Sequence, residues 1–153
     1  MLPKAHRSSD PSRVRSEPNC GLYLLLMRMN SPLTLIVGAR GEIAFQPGRY
    51  VYCGSARRNL SHRISRHMSR EKKRRWHIDY LTCREEISVD SVFVFSVDGL
   101  TECRLNSSVQ RLPGARPIER FGCSDCKCSS HLTFLGEASL PTHINSHITY
   151  ERV

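Results

Sequence analysis

The stretch Tyr52-Cys53-Gly54-Ser55, followed by Asn59-Leu60, Arg63 and His67, constrains this chain most. It predicts a strand, a tight glycine turn and a helix whose first two turns carry one arginine and one histidine. Gly21-Leu22-Tyr23 opens an apolar strand upstream. Alternation along the later strand puts Tyr50 and Tyr52 on one face and Val51 and Cys53 on the other, which makes Cys53 a small core residue rather than a nucleophile.

The remaining pattern is that of an α+β domain: a small, mostly antiparallel sheet flanked by helices. Residues 22–29, 33–37, 42–45, 50–53 and 91–97 read as strands, with Asn30-Ser31-Pro32, Gly38, Gly41 and Pro47-Gly48 as turns. Residues 59–69 read as a helix with a Leu60, Ile64 and Met68 stripe, and Arg63 and His67 at its edge. Arg66 and Arg70 fall further round, toward solvent. A short helix is expected over 76–83 and a longer one over 100–112, with Leu105, Val109 and Leu112 inward and Glu102 bordering that stripe. The segment from Phe121 to Phe134 reads as an irregular Cys/His loop ending in a short strand. Residues 1–19 read as a disordered basic tail, 20–136 as the domain and 137–153 as a polar tail.

The formal charge is +9, but residues 57–75 hold nine Lys and Arg against Glu71 alone, a local +8. Arg57, Arg58, Arg66, Arg70, Lys72, Lys73, Arg74 and Arg75 thus form a candidate nucleic-acid footprint, beside the blander reading of a solvated face. No apolar run reaches the roughly 20 residues of a membrane helix, and no secretory leader is expected. Seven cysteines, an odd number, suit reduced thiols or a metal better than a disulfide framework and imply a cytoplasmic setting.

Taken in order, Gly21-Leu22-Tyr23, Tyr52-Cys53-Gly54, the Ser55–His67 segment, Trp76–Leu81, Glu102-Cys103 and Phe121–Cys128 with His131-Leu132 resemble the GIY-YIG nuclease superfamily in its Uri-type branch. Cys53 departs from that pattern, where isoleucine is usual. Tyr23 and Tyr52 also stand 29 residues apart, further than is usual, and an inserted hairpin around 33–46 would absorb the length.

The resemblance implies a metal-dependent endonuclease acting on DNA. Glu102 would hold one Mg²⁺ or Mn²⁺, since hard cations prefer carboxylate oxygen; a lone helix glutamate is otherwise a solubility residue. Arg63 would stabilise the phosphate in its pentavalent state. Tyr23 and Tyr52 would be base and positioning group, in an order the sequence leaves open. Only about one free tyrosine in a thousand is ionised at pH 7, so an alkaline optimum is expected. His67 either orients water or phosphate or is structural. His77 and Asp79 are possible supports of the site. Cys123, Cys126, Cys128 and His131 offer a Zn²⁺ ligand set from a single loop, with thiol packing and a redox-sensitive cluster as alternatives. A non-catalytic nucleic-acid-binding module of the same fold is the main rival, and a zinc-stabilised interaction domain the weaker one.

Overall fold

A computed structural model describes residues 19–97, 99–123, 126–140 and the backbone of 149–151. The expected basic tail over residues 1–18 lies outside the described residues.

The apolar run becomes β1 (Gly21–Met29), the strand on which the sheet is built. A run apolar on both faces demands cover on both, and it receives it. β1 pairs antiparallel with β4 (Gly48–Ala56) on one side and β5 (Ile87–Phe95) on the other. β6 (Arg116–Pro117) and β7 (Leu132–Gly136) extend the β4 edge, and β8 (Thr149–Glu151) extends the β5 edge. All these pairings are antiparallel. β2 (Leu33–Val37) and β3 (Gly41–Phe45) form a separate two-stranded ribbon. This ribbon is the hairpin expected around 33–46.

Pleating sorts the core into two clusters. Tyr23, Leu25, Met27, Tyr50, Val92 and Leu132 belong to one, with Leu60 and Ile64 of α1 (Leu60–Met68) and Ile78 and Leu81 of α2 (His77–Thr82). Leu22, Leu24, Val51, Cys53, Phe93 and Phe95 belong to the other, with Leu105 and Val109 of α3 (Glu102–Gln110). The fold is therefore α+β, as the periodicities indicate, and the alternation of Tyr50 and Tyr52 against Val51 and Cys53 holds.

Two expectations are corrected. Gly54 does not turn the chain. β4 runs on to Ala56, and the turn falls at Asn59, whose φ of 56° lies in the left-handed region that asparagine tolerates. Asn19 closes this junction, its Oδ1 accepting from Asn59 N at 2.9 Å and its carbonyl from Leu60 N at 3.1 Å. The segment after 136 is also more than a tail. Leu140 is buried in the second cluster, and the β8 backbone pairs with β5. Three residues are too few to show an alternation in sequence.

Candidate functional site

At the Ala56 end of β4, α1 approaches from one face of the sheet and α3 from the other. Tyr23 on β1 and Gly54 on β4 are direct cross-strand partners. The Tyr23 ring lies across Gly54 so closely that a Cβ there would meet Tyr23 Cζ and Oη, so glycine is required by contact rather than by φ. The ring's hydroxyl then reaches α1, where it hydrogen-bonds His67 Nε2 at 2.7 Å.

Tyr23, Tyr52, Arg63, His67 and Glu102 all line one cleft of about 300 Å³, together with Ser55, Arg75, Trp76 and His77. The groups that the resemblance assigns to the site thus share one space, although they come from β1, β4, α1 and α3. Arg63 donates to the Ser55 carbonyl at 2.6 Å, and its guanidinium stacks 4.9 Å from the Trp76 ring centroid. Glu102 is the first residue of α3. Its Oε2 accepts from Ser55 Oγ, and its Oε1 lies 2.8 Å from His131 Nδ1. Each carboxylate oxygen keeps a lone pair beyond these contacts.

Burial pushes both cleft tyrosines well above the usual phenol range, with Glu102 adding to the rise and Arg63 opposing it. Burial likewise works to raise the Glu102 carboxyl, but His131, Ser55 and Arg63 outweigh it and hold the group below its ordinary value. The result is an ionised carboxylate beside two neutral phenols.

His67 is 1 % exposed and packs among Tyr23, Tyr52 and Trp76. Burial, aided by the nearby Lys72, pushes its pKa down to about 3 from 6.5. An unfolded chain takes up that proton near its ordinary pKa, so between these values the unfolded state binds more protons and stability rises with pH. The slope is at most about 1.4 kcal/mol per pH unit. Urea unfolding from about pH 7 to about pH 4.5 should therefore show falling stability, and His67→Gln should flatten that decline. An identical decline in the variant would contradict this assignment.

The basic run divides in two. Arg57, Arg58, Arg70, Lys73, Arg74 and Arg75 are exposed. Arg66 and Lys72 are instead engaged within the chain, which corrects the reading of Arg66 as solvent-facing. Arg66 donates to Asp79 Oδ2 and the Lys73 carbonyl. Lys72 Nζ donates to the Arg66 carbonyl and Thr82 Oγ1, with a side chain only 4 % exposed. Both converge on Asp79, which is fully buried. Asp79 Oδ2 also accepts from the backbone N–H of Arg75 and Trp76, capping α2 and folding the basic run back. Asp79 therefore lies outside the cleft lining and holds the backbone of Arg75 and Trp76, which do line it. His77 lines the cleft itself, its Nδ1 accepting from Gly122 N at 3.1 Å.

The Cys/His loop supplies only part of its expected ligand set. Among the described residues, the donor atoms of Cys103, Cys126, Cys128 and His131 all lie within 4.8 Å of one another. This cluster can hold a metal ion. Cys123 is not among the four; its Sγ is directed to the Ser129 carbonyl at 3.7 Å. Cys103 stands in its place, carried by α3 next to Glu102. The ligands therefore come from two segments rather than one loop. All seven cysteines are free.

Ser55 and Trp76 are site residues that sequence reading passed over. Ser55 lies in the quoted motif, and Trp76 is the sole tryptophan beside the basic run. No helix among the described residues is long and apolar enough to cross a membrane. No curated protein and no solved structure matches the chain. A family model does match, over residues 22–151, and the chain belongs to the family described as "Domain of unknown function DUF123".

Proposed function

We propose that this protein is a metal-dependent endonuclease of the GIY-YIG type, hydrolysing phosphodiester bonds in DNA in a cytoplasmic setting. One observation carries the reading: an ionised carboxylate, a guanidinium and two phenols, remote in sequence, line a single cleft. Phosphodiester hydrolysis needs those groups: charge relief at phosphorus, a base for the attacking water and support for the leaving oxygen.

Glu102 suits Mg²⁺ or Mn²⁺, because such ions take one or two carboxylates and complete their shell with water and substrate phosphate. When bound, the ion would supply Lewis-acid charge relief and a more acidic water. Arg63 holds a phosphate oxygen through the guanidinium edge left free by its bond to Ser55. His67 fixes the Tyr23 hydroxyl at the cleft wall, and Tyr52 shares the strand face beside it. The exposed Arg57, Arg58, Arg70, Lys73, Arg74 and Arg75 draw in the backbone of the nucleic acid. The Cys/His cluster takes Zn²⁺, whose preference for thiolate and imidazole matches its donors.

The test is a panel of single-stranded, duplex and branched DNA and RNA, with and without Mg²⁺ or Mn²⁺. Cleavage of DNA only with metal is expected. Salt-sensitive binding with no cutting on any substrate would favour the non-catalytic binding module, which the exposed basic residues alone would serve. The two phenols also set a pH signature. Both are held above their ordinary pKa, so a rate limited by a tyrosine base should climb tenfold per pH unit into the alkaline range. Single-turnover cleavage across pH reads this directly, and a rate flat above neutrality would exclude a tyrosine base.

A further inference from the structure

The ring of His131 faces two ways. Its Nε2 lies 3.2 Å from Cys126 Sγ, inside the cluster formed with Cys103 and Cys128. Its Nδ1 lies 2.8 Å from Oε1 of Glu102, a residue of the cleft lining. We propose that these four residues form one tetrahedral zinc centre and that His131 ties it to Glu102, so that the thiolate centre positions the cleft carboxylate. The zinc centre stands on its own geometry; its bearing on catalysis rests on the nuclease reading.

Tetrahedral zinc with Zn–S of about 2.3 Å and Zn–N of about 2.0 Å puts its ligand atoms roughly 3.5–3.8 Å apart. Donor atoms already within 4.8 Å of one another need only small adjustments, the 3.2 Å pair of His131 Nε2 and Cys126 Sγ opening slightly and the wider pairs closing. On binding, three thiols lose their protons to solvent as three Zn–S bonds form, and neutral His131 gives the lone pair of Nε2. Its remaining proton is then fixed on Nδ1, which lies 2.8 Å from Glu102 Oε1 but is not yet aligned on it, so that seating the ring on the metal would turn the N–H onto the carboxylate. A metal-bound histidine commonly passes its second N–H to a carboxylate, which fixes the tautomer and the ring plane.

The chain is built to transmit this constraint. Cys103 directly follows Glu102, so its zinc bond would hold the backbone of the first turn of α3 while His131 holds the Glu102 side chain. His131 is itself anchored without metal: its N–H donates to the Phe121 carbonyl at 2.8 Å, and its carbonyl accepts from Cys53 N at 3.0 Å. Ser130 before it is clamped to α3 by Asn106, which donates to its carbonyl at 2.6 Å. The backbone that carries the imidazole is thus fixed between metal and carboxylate before any metal binds. Glu102 positions the ligand and the ligand positions Glu102.

The test uses full-length protein purified under reducing conditions, with metal content by mass spectrometry, optical spectra after Co²⁺ substitution and zinc affinity by competition with a chromophoric chelator. One zinc per chain is expected, with a cobalt spectrum of tetrahedral, three-thiolate character. Cys103→Ser and Cys128→Ser should lose it, Cys103→His should keep it, and Cys123→Ser should bind as the unaltered chain does. Glu102→Ala removes no ligand, yet should weaken zinc binding by roughly 10–100-fold. Should the serine variants not fold, the thiolate count from the cobalt spectrum decides the ligand set. No stoichiometric zinc, or a cluster that needs Cys123 and not Cys103, overturns the centre. Unchanged zinc affinity in Glu102→Ala overturns the tie to the carboxylate. None of these readouts depends on cleavage, so an inert protein with this metal pattern would sink the nuclease reading alone.

Discussion

Glu102→Gln is expected to lower metal-dependent cleavage by on the order of 10³-fold, about 4 kcal/mol of barrier, while nucleic-acid binding stays within a few-fold. The substitution keeps the shape of the side chain and removes its charge. Among the described residues, Glu102 is the sole carboxylate lining the cleft. A neutral amide is a poor partner for a hard divalent ion, so the lost charge is lost where the transition state needs it. The exposed cations around α1 do not touch Glu102, so binding should survive. The amide must also face His131 Nδ1 and Ser55 Oγ, which both contact the carboxylate. A hydroxyl can rotate to accept from an amide, whereas a protonated Nδ1 needs the amide oxygen, and both needs can be met at once. The variant should fold, and cleavage is to be measured at saturating zinc so that a weakened Cys/His centre does not contribute. Binding lost in parallel with cutting would make Glu102 structural instead.

Gly54→Ala should be the most damaging single methyl group near the site. Its Cβ would fall 2.4 Å from Tyr23 Cζ and 2.5 Å from Tyr23 Oη, far inside contact distance. Tyr23 is 2 % exposed and pinned by His67, so the ring has nowhere to retreat without breaking that hydrogen bond. Overpacking of this kind costs about 1–3 kcal/mol. For a chain of this size that lowers Tm by roughly 2–4 °C per kcal/mol. Cleavage should fall as well, because the displaced phenol leaves the cleft wall. The mechanism is checked by a double-mutant cycle. In a Tyr23→Ala background the three atoms nearest the added methyl are gone, and Gly54→Ala should then cost far less. An equal cost in both backgrounds would place the strain in the strand rather than in the ring.

Local periodicity carried much of this fold. The Leu60 and Ile64 stripe, the alternation of Tyr52 with Cys53 and the Leu105 and Val109 pair are short-range patterns, and each lands on the cluster its spacing implies. Motif order, rather than spacing, brought Glu102 together with Arg63 and the tyrosines. What escaped was long-range or buried against type. Cys103 lies 23 residues before Cys126 on a helix with no ligand spacing around it, so nothing local joins it to the loop. Arg66 and Lys72 read as members of a charge run because a run is summed without knowing direction. Asp79, an acid in a short helix directly after that run, was the available sign that some of those cations turn inward. Gly54 was read as a turn because glycine usually marks one, while its use here is to make room for an aromatic ring on the neighbouring strand.

The central claim is that Arg63, Glu102, Tyr23 and Tyr52 surround one scissile phosphate. Single-turnover cleavage of DNA with Mg²⁺ by Arg63→Ala, Tyr23→Phe and Tyr52→Phe, with binding followed in the same samples, tests it most directly. Each variant should still bind DNA and should cut far more slowly than the unaltered chain. Cutting that persists in all three would place the chemistry elsewhere on the molecule and contradict the account.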